Sequence, residues 1–404
     1  MAKRKCRVDS VKFDGRYGGA MTGKAEMQAI IKSIYKSNKT GNWQTGSEAK
    51  KMEEESAKFL GVKHGILTTS GSCAGLLALT ALELPKGSEV IISSVTFPTI
   101  FNIILQCGLT PVVVDAKVGS YNFDIADVEK AITHNTKAII AVHAVGNPCD
   151  MPKLMKLTRR YEKQGQKIWV IEDNCDGWGS TIGNKFVGSF GDVSITSFHA
   201  AHIVSMGVGG AIYTNNKTIA ENVRVYRDWG RQANTTKPNK YPLLPADQNP
   251  RFIYEKIGYN FQILELQAAM GRVQLRKSNK IKRLRQKNFN YLVKKLKQFE
   301  DIILPTTVKN ASVCWFALPL SVIGGQRAEL VKHLEKHGIE TRSMFSGDIT
   351  RHPAYANSNY RVRGKLTETD FILRNSFWIT VHPRLRKSDL DYIIKVFKSF
   401  KWLK

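Results

Sequence analysis

The chain is short of cysteine, of acid and of long apolar stretches, and each shortage removes a class of protein. Its six cysteines, at positions 6, 73, 107, 149, 175 and 314, never come closer than 26 residues to one another. That spacing offers neither a CxxC zinc site nor a small disulfide scaffold, so the thiols read as reduced core filler. No uncharged apolar run reaches the roughly 18 residues of a spanning helix, and the opening MAKRKCRVDSVKFDGRYGG has charge without the apolar core of a secretory leader. The expectation is a soluble, cytoplasmic chain with no membrane partner. Acids are outnumbered, 34 Asp and Glu against 61 Lys and Arg, for a formal charge of +27. Such a balance suits nucleic acid, an anionic surface or anionic small molecules. The densest cationic stretch, Arg276 to Lys297 with ten Lys or Arg, also carries Ile281, Leu284, Tyr291, Leu292 and Leu296 at helical spacing. It reads as a packed amphipathic helix with a solvated basic face; no zinc-finger or RNA-binding motif accompanies it, and a nucleic-acid partner is not expected.

What is present is an ordinary globular mixture over 404 residues, 42% apolar and 24% charged, enough for one large domain and one smaller. Helices are predicted over Lys24 to Ser37 and Gly46 to Leu60. The β-rich runs HGILTTS, EVIISS, TPVVVD, KAIIAVHAV and KIWVIED then alternate with helical stretches, and DVSITSF and GGAIYT close the series. Continuous Val/Ile runs between helices are what a sheet covered on both faces produces. The fold class is therefore α/β: a large domain around a central, mostly parallel sheet, plus a smaller C-terminal α+β domain. The boundaries are drawn as an N-terminal segment 1–45, a large domain 46–275 and a small domain 276–404, with a hinge near residue 275. NTTKPNKYPLLPADQNPRF, from Asn234, reads as a long loop.

Three segments carry candidate chemistry. In TTSGSCAGLLAL a strand turns at Ser70, Gly71 and Ser72 straight into an apolar helix, which offers amides and hydroxyls at a positive helix end. That suits a phosphate, although Gly and Ser at such a turn serve equally as plain caps. In VIEDNCD, Glu172 and Asp173 end a strand, where open α/β sheets bind ligands. A carboxylate there can protonate a pyridine nitrogen, or simply cap or face solvent. In SITSFHAAHIVSMGVGG, His199 and His202 occupy a stretch with no lysine anywhere between Lys185 and Lys217.

With this third segment the chain resembles fold-type I pyridoxal-phosphate enzymes, in particular the nucleotide-sugar aminotransferases and their 3-dehydratase relatives. Similar stretches run from about Asp14 to Phe400: GNWQTG, TFPT, VHAVGN, IEDNCDGWGST, RDWGR, GYNFQILELQAAMG, TRSMFSGDITRHPAY and SFWITVHP. In that family Ser-Phe leads to the Schiff-base lysine and then Gly-x-Gly-Gly. Laid on Ser197, Phe198 and Gly207 to Gly210, the lysine column falls on His202. A histidine there is similar to the branch that dehydrates nucleotide-linked 4-keto-6-deoxyhexoses at C3, of the colitose and ascarylose type. Imidazole moves protons but cannot hold the cofactor by a bond.

The resemblance implies the following roles. His202 is the catalytic acid/base and Asp173 pairs with the ring nitrogen. Gly71, Ser72 and Ser197 hold the cofactor phosphate, joined by Asn260 from the partner subunit of a homodimer with shared active sites. Phe97 stacks on the ring, and Asp176, rather than Cys175, touches its edge. His199, Arg231 and Arg342, with Arg351, are candidate contacts to an anionic nucleotide sugar. From the residues alone, Phe97 also reads as core, Asn260 as a helix cap, His199 as structural and His143 as a satisfied core histidine. The implied cofactor is pyridoxamine phosphate or pyridoxal phosphate, with an amino donor such as glutamate. The cysteines that the iron–sulfur members place after RDWGR are missing between Gln232 and Ile257, so no cluster and no metal is expected. Val208 replaces a common Glu. Two other readings remain: an atypical sugar aminotransferase, and a silent fold-type I protein that binds an anionic partner.

Overall fold

The computed structural model describes residues 20–231, 241, 243–245 and 248–402. The basic start with Cys6, and most of the Asn234 to Phe252 stretch expected to be a loop, lie outside the described residues. In chain order the helices are α1 (Lys24–Thr40), α2 (Ser47–Leu60), α3 (Gly71–Ala81), α4 (Pro98–Gln106), α5 (Ile125–Ala131), α6 (Met151–Lys163), α7 (Lys217–Arg227), α8 (Glu265–Leu296), α9 (Arg327–Lys336), α10 (Thr367–Asn375) and α11 (Lys387–Ser399). The strands of the large sheet are β1 (His64–Thr68), β2 (Glu89–Ser93), β3 (Thr110–Val114), β4 (Thr136–Val142) and β5 (Trp169–Asp173), then β8 (Val193–Ser197), β9 (Gly210–Thr214) and β14 (Arg361–Val362). Between them β6 (Thr181–Ile182) and β7 (Lys185–Phe186) form a small hairpin, to which β11 (Ala311–Ser312) adds.

The large sheet has the order β1-β9-β8-β5-β4-β2-β3-β14. Only β9 runs against its neighbours; the other pairs are parallel. The physical reason is connection length. β8 and β9 are joined by the short stretch that holds His199 and His202, whereas β2 to β5 follow one another through helices and β5 reaches β8 by a longer connection that contains the β6–β7 hairpin. Both faces are covered. Ile66, Val90, Ile92, Ile140 and Ile195 pack with α3, α4 and α7 on one side, and Ile91, Val112, Ile139 and Val170 pack with α5 and α6 on the other. This explains the unbroken Val/Ile runs.

The second sheet, β10 (Ile302–Ile303), β12 (Ala317–Val322), β15 (Ser376–Thr380) and β13 (Thr341–Ser343), is antiparallel throughout and packs on α9, α11 and the distal part of α8. Residue 275, where the sequence suggests a hinge, lies inside α8, a continuous helix of 32 residues. Its basic and apolar parts are one rod. Glu265, in its first turn, is buried and accepts the amides of Gly46, Glu48 and Ala49 at 2.8, 2.9 and 3.0 Å. A carboxylate on the open N-terminus of α2 satisfies orphan donors and complements the helix dipole, and so ties α2 to α8. Among the described residues no helix is long and apolar enough to cross a membrane.

Candidate active site

The carboxyl ends of β4, β5 and β8 and the N-termini of α3 and α4 border a cavity of about 800 Å³, closed on the far side by the small sheet. At one end the β1–α3 turn comes against β8 and β9. Gly210 faces both Thr68 and Ser197 across the ladder. A Cβ on Gly210 would lie 2.3 Å from the Ser70 carbonyl oxygen, and one on Gly71 would lie 2.6 Å from Ser197 Cβ. Only glycine allows that closeness. Ser70 caps α3 by accepting the Cys73 amide at 3.1 Å, which leaves the Gly71 and Ser72 amides at the open helix end. Ser72 Oγ is 2.9 Å from Thr99 Oγ1, and Ser197 Oγ accepts the His199 amide. Amides, hydroxyls and a helix dipole meet at one point, as an anion requires.

At the middle of the cavity Asp173 ends β5, 7% exposed. Its Oδ1 accepts the Cys175 amide at 3.1 Å, and no lysine or arginine pairs with it among the described residues. Burial pushes its carboxyl above the ordinary range, opposed mainly by the Cys175 contacts. Such a group lacks a cation that a ligand can provide. The neighbouring Cys175 thiol is driven well up by burial, with the Asp173 carboxylate adding to it, so it is no nucleophile. Directly behind, Glu172 is fully buried and accepts Gly188, Phe190 and Gly191 amides at 2.8, 2.6 and 2.7 Å. It also meets His143 Nε2 at 3.1 Å. His143 Nδ1 accepts the Cys149 amide at 3.2 Å, so the ring proton sits on Nε2 and points at Glu172. The His143 amide in turn donates to the Asp173 carbonyl at 3.1 Å.

The third group is His202. Its Nδ1 lies 3.3 Å from Asp176 Oδ1, close enough for an ionic contact, yet not aligned as a hydrogen bond. Its ring packs at 5.6 Å from Phe316 and 6.2 Å from His199. No lysine is among the described residues that line the cavity.

The model of the DegT/DnrJ/EryC1/StrS aminotransferase family matches residues 24–398. The chain belongs to that family. It is 36% identical over 95% of its length to the lipopolysaccharide biosynthesis protein RfbH of Salmonella typhimurium, covering 90% of that protein. It is 34% identical over 88% of its length to the dTDP-4-dehydro-2,6-dideoxy-D-glucose 3-dehydratase of Saccharopolyspora spinosa, covering 80% of it. The GDP-perosamine synthase of Escherichia coli O157:H7 is 29% identical, over 83% of this chain and 85% of that one. The crystal structure of GDP-4-keto-6-deoxymannose-3-dehydratase with a trapped PLP-glutamate geminal diamine superposes with a TM-score of 0.87 at 27% identity, over 94% of this chain and 99% of that one. Two of these four are 3-dehydratases of nucleotide-linked sugars and one is a perosamine synthase, and the fold is that of fold-type I pyridoxal-phosphate enzymes.

Enzymes of the DegT/DnrJ/EryC1/StrS family depend on pyridoxal phosphate, and the donor set here fits that group. A phosphate site of glycine amides and hydroxyls stands at one end, a buried carboxylate without a cation in the middle, and Phe97, 57% exposed although it caps α4, at the mouth. The structure brings Gly71, Ser72, Phe97, Asp173, Asp176, Ser197, His199, His202 and Arg342 to the cavity. Arg342 also contacts Glu340. Three expected residues are not among those lining it. Arg231 lies over the Trp229 ring at 4.3 Å and pairs its backbone with Tyr254, and Asn260 pairs with Asp228. Arg351 is held by Asp348 and Asp370 at 3.0 and 2.6 Å. Asn260 is solvent-exposed. Arg231 and Arg351 are thus outside the lining of this chain's own cavity; Arg351 is ion-paired, whereas Arg231 stacks on Trp229 and keeps its Nε without a hydrogen-bond partner. The residues that the sequence does not single out are Thr99, Phe316, His352 and Trp378. The last three come from the α+β segment; His352 and Trp378 lie within the resembling stretches TRSMFSGDITRHPAY and SFWITVHP, in which only the arginines are singled out, and Phe316 lies in none. Among the described residues no group of three His, Cys, Asp or Glu could hold a metal ion.

Proposed function

We propose that this chain removes the C3 hydroxyl of a nucleotide-linked 4-keto-6-deoxyhexose, as a pyridoxamine-phosphate-dependent 3-dehydratase. The observation that carries the reading is His202 in a cavity lined by no lysine, beside Asp176. The cofactor, when bound, supplies a primary amine for the C4 ketone and an electron-accepting ring. Gly71, Ser72, Thr99 and Ser197 hold its phosphate, and Phe97 covers a face of the ring. Asp173 keeps a proton on the ring nitrogen: the cation it lacks in the protein is the protonated pyridine. His202 Nδ1 faces Asp176, which leaves Nε2 as the atom that would take the proton from the cofactor carbon bearing the amine (C4′) and deliver it to the departing C3 oxygen. A neutral imidazole does both, and its inability to bond the cofactor disfavours simple amino transfer. Arg342 and His352 stand on the small-domain side of the cavity, where an anionic diphosphate finds donors. Asn260, exposed and outside the cavity, is assigned to the cofactor phosphate of a second subunit in a homodimer. Glutamate is the amino donor that returns the cofactor to its amine form.

The test is incubation of the purified chain with pyridoxal phosphate and glutamate, together with GDP-, CDP- or dTDP-4-keto-6-deoxyhexoses, followed by mass spectrometry. A sugar lighter by one oxygen atom, with C3 carrying two hydrogens and the ketone retained, is the expected product, the amine form of the cofactor being the reductant and glutamate restoring it with release of ammonia. A 4-amino sugar would overturn the reading in favour of an aminotransferase, and no cofactor uptake would favour a silent binding protein.

A further inference from the structure

Arg285 lies behind the cavity on α8, 2% exposed, with no carboxylate within ion-pair distance among the described residues. Its Nη1 donates to the Phe316 carbonyl at 2.7 Å and, more weakly, to the Trp315 carbonyl at 3.4 Å. Its Nε has no partner at all. Burial pulls the guanidinium down to about 10, a loss that the neighbouring Cys314 and Asp176 partly offset. It is therefore charged at neutral pH, and its charge is felt by Asp176. A buried cation with an unmet donor is expensive, and if packing were its only task a Leu or Met would do it better.

The surroundings show what the charge can act on. The guanidinium carbon lies 5.9 Å from the centroid of the Phe316 ring, and that ring is 5.6 Å from the His202 ring. Phe316 is fixed from its other side, because its amide donates to the Val145 carbonyl at 2.9 Å. Next to it Gly146 is wedged so tightly that a Cβ would lie 2.6 Å from the Cys314 carbonyl oxygen and 3.2 Å from that of Asp176. The Asp176 turn, the 314–316 segment and Arg285 thus form one rigid wall, and His202 rests on its inner face. His202 Nδ1 has no aligned hydrogen bond, so on its own loop the ring has only the edge contact with His199.

We infer that Arg285 is a positioning residue: it pins the Phe316 carbonyl and packs by the Phe316 ring, and through that ring it holds His202 in one tautomer, with Nδ1–H toward Asp176 and Nε2 free. The functional weight of this inference rests on His202 being the acid/base.

The experiment follows the imidazole and not the product. Long-range proton–nitrogen correlation spectra of the full chain, labelled with 15N-histidine, are recorded with and without pyridoxamine phosphate for wild type, Arg285→Gln and Arg285→Lys. His202→Asn identifies the signal. In wild type a single Nδ1–H pattern is expected for His202. Arg285→Gln keeps a donor for Phe316 but loses the charge, and its His202 signals move toward a tautomer mixture while those of His143 stay in place. Arg285→Lys returns most of the wild-type pattern, and is the decisive variant should the glutamine form not fold. Turnover falls about ten- to a hundredfold in Arg285→Gln at unchanged thermal midpoint. Wild-type His202 signals in both variants would overturn the inference, as would a shift of His143 and His202 together, which signals general loosening. If instead His202→Asn still dehydrates while Arg285→Gln alters the His202 tautomer, the positioning stands and the assignment of the base fails.

Discussion

His143 and His202 border the same cavity in opposite surroundings. Around His143 every polar atom is answered: Nδ1 accepts an amide, Nε2 meets Glu172, and Glu172 accepts three further amides. Around His202 the nearest carboxylate stands at 3.3 Å without an aligned hydrogen bond. The first neighbourhood has spent its hydrogen-bonding capacity on holding the carboxyl ends of β4 and β5 together; the second has kept its capacity open. One cavity thus separates a histidine that builds from a histidine free to react, and the polar atoms left without partners tell them apart.

Substitutions can break that contrast. The largest effect is expected for His202→Asn, which removes the mobile proton. Dehydration should fall by roughly 10²–10⁴ while cofactor absorbance on binding persists. Loss of cofactor instead would mean that His202 also serves structure. Glu172→Ala should do the reverse, destabilising the fold by roughly 3–5 kcal/mol because three amides and an imidazole N–H lose their acceptor in the interior. Urea unfolding followed by far-ultraviolet circular dichroism measures it, and a change below about 1 kcal/mol would mean that the carboxylate is not the keystone argued here. Gly71→Ala brings a methyl group to 2.6 Å from Ser197 Cβ, so the turn must shift; it should weaken pyridoxamine phosphate uptake about tenfold and lower the melting temperature as well.

The smallest effect concerns pH. Burial raises the Asp173 carboxyl, so the folded chain holds that proton more tightly than the unfolded chain. Its contribution to stability is greatest below the unfolded value of about 3.9 and is lost as pH climbs through the raised folded value. Asp173→Asn without cofactor should therefore melt above wild type at neutral pH, and the gap should close toward pH 4. A gap independent of pH would show that the carboxylate is compensated inside the fold.

Much of this was legible in the chain itself. The Val/Ile runs between helices mark the five parallel strands β2 to β5 and β8 within a residue or two, because a sheet covered on both faces leaves no alternation to misread. Asp173 and the Ser70-Gly71-Ser72 turn stand out for a similar reason: strand ends and helix starts are local events. What stayed hidden is long-range. The resemblance over TRSMFSGDITRHPAY and SFWITVHP brings the small domain into the site, but nothing near Phe316 does, and the glycine closeness at 71, 146 and 210 exists only once distant segments meet. That Arg351 is ion-paired to Asp370 and that Arg231 stacks on Trp229 is equally long-range, because charge alone does not say which carboxylate or ring lies beside it.

The unbroken α8 adds a constraint of its own. Glu265 grips α2 in its first turn, and Arg285 reaches Phe316 twenty residues further along the same rod. Since successive residues turn by about 100°, one residue inserted between those two anchors would swing the guanidinium to another side of the helix. Evolution can trade side chains along that interval with some freedom, but its length is locked, as the pitch of a screw locks two nuts threaded at a set phase.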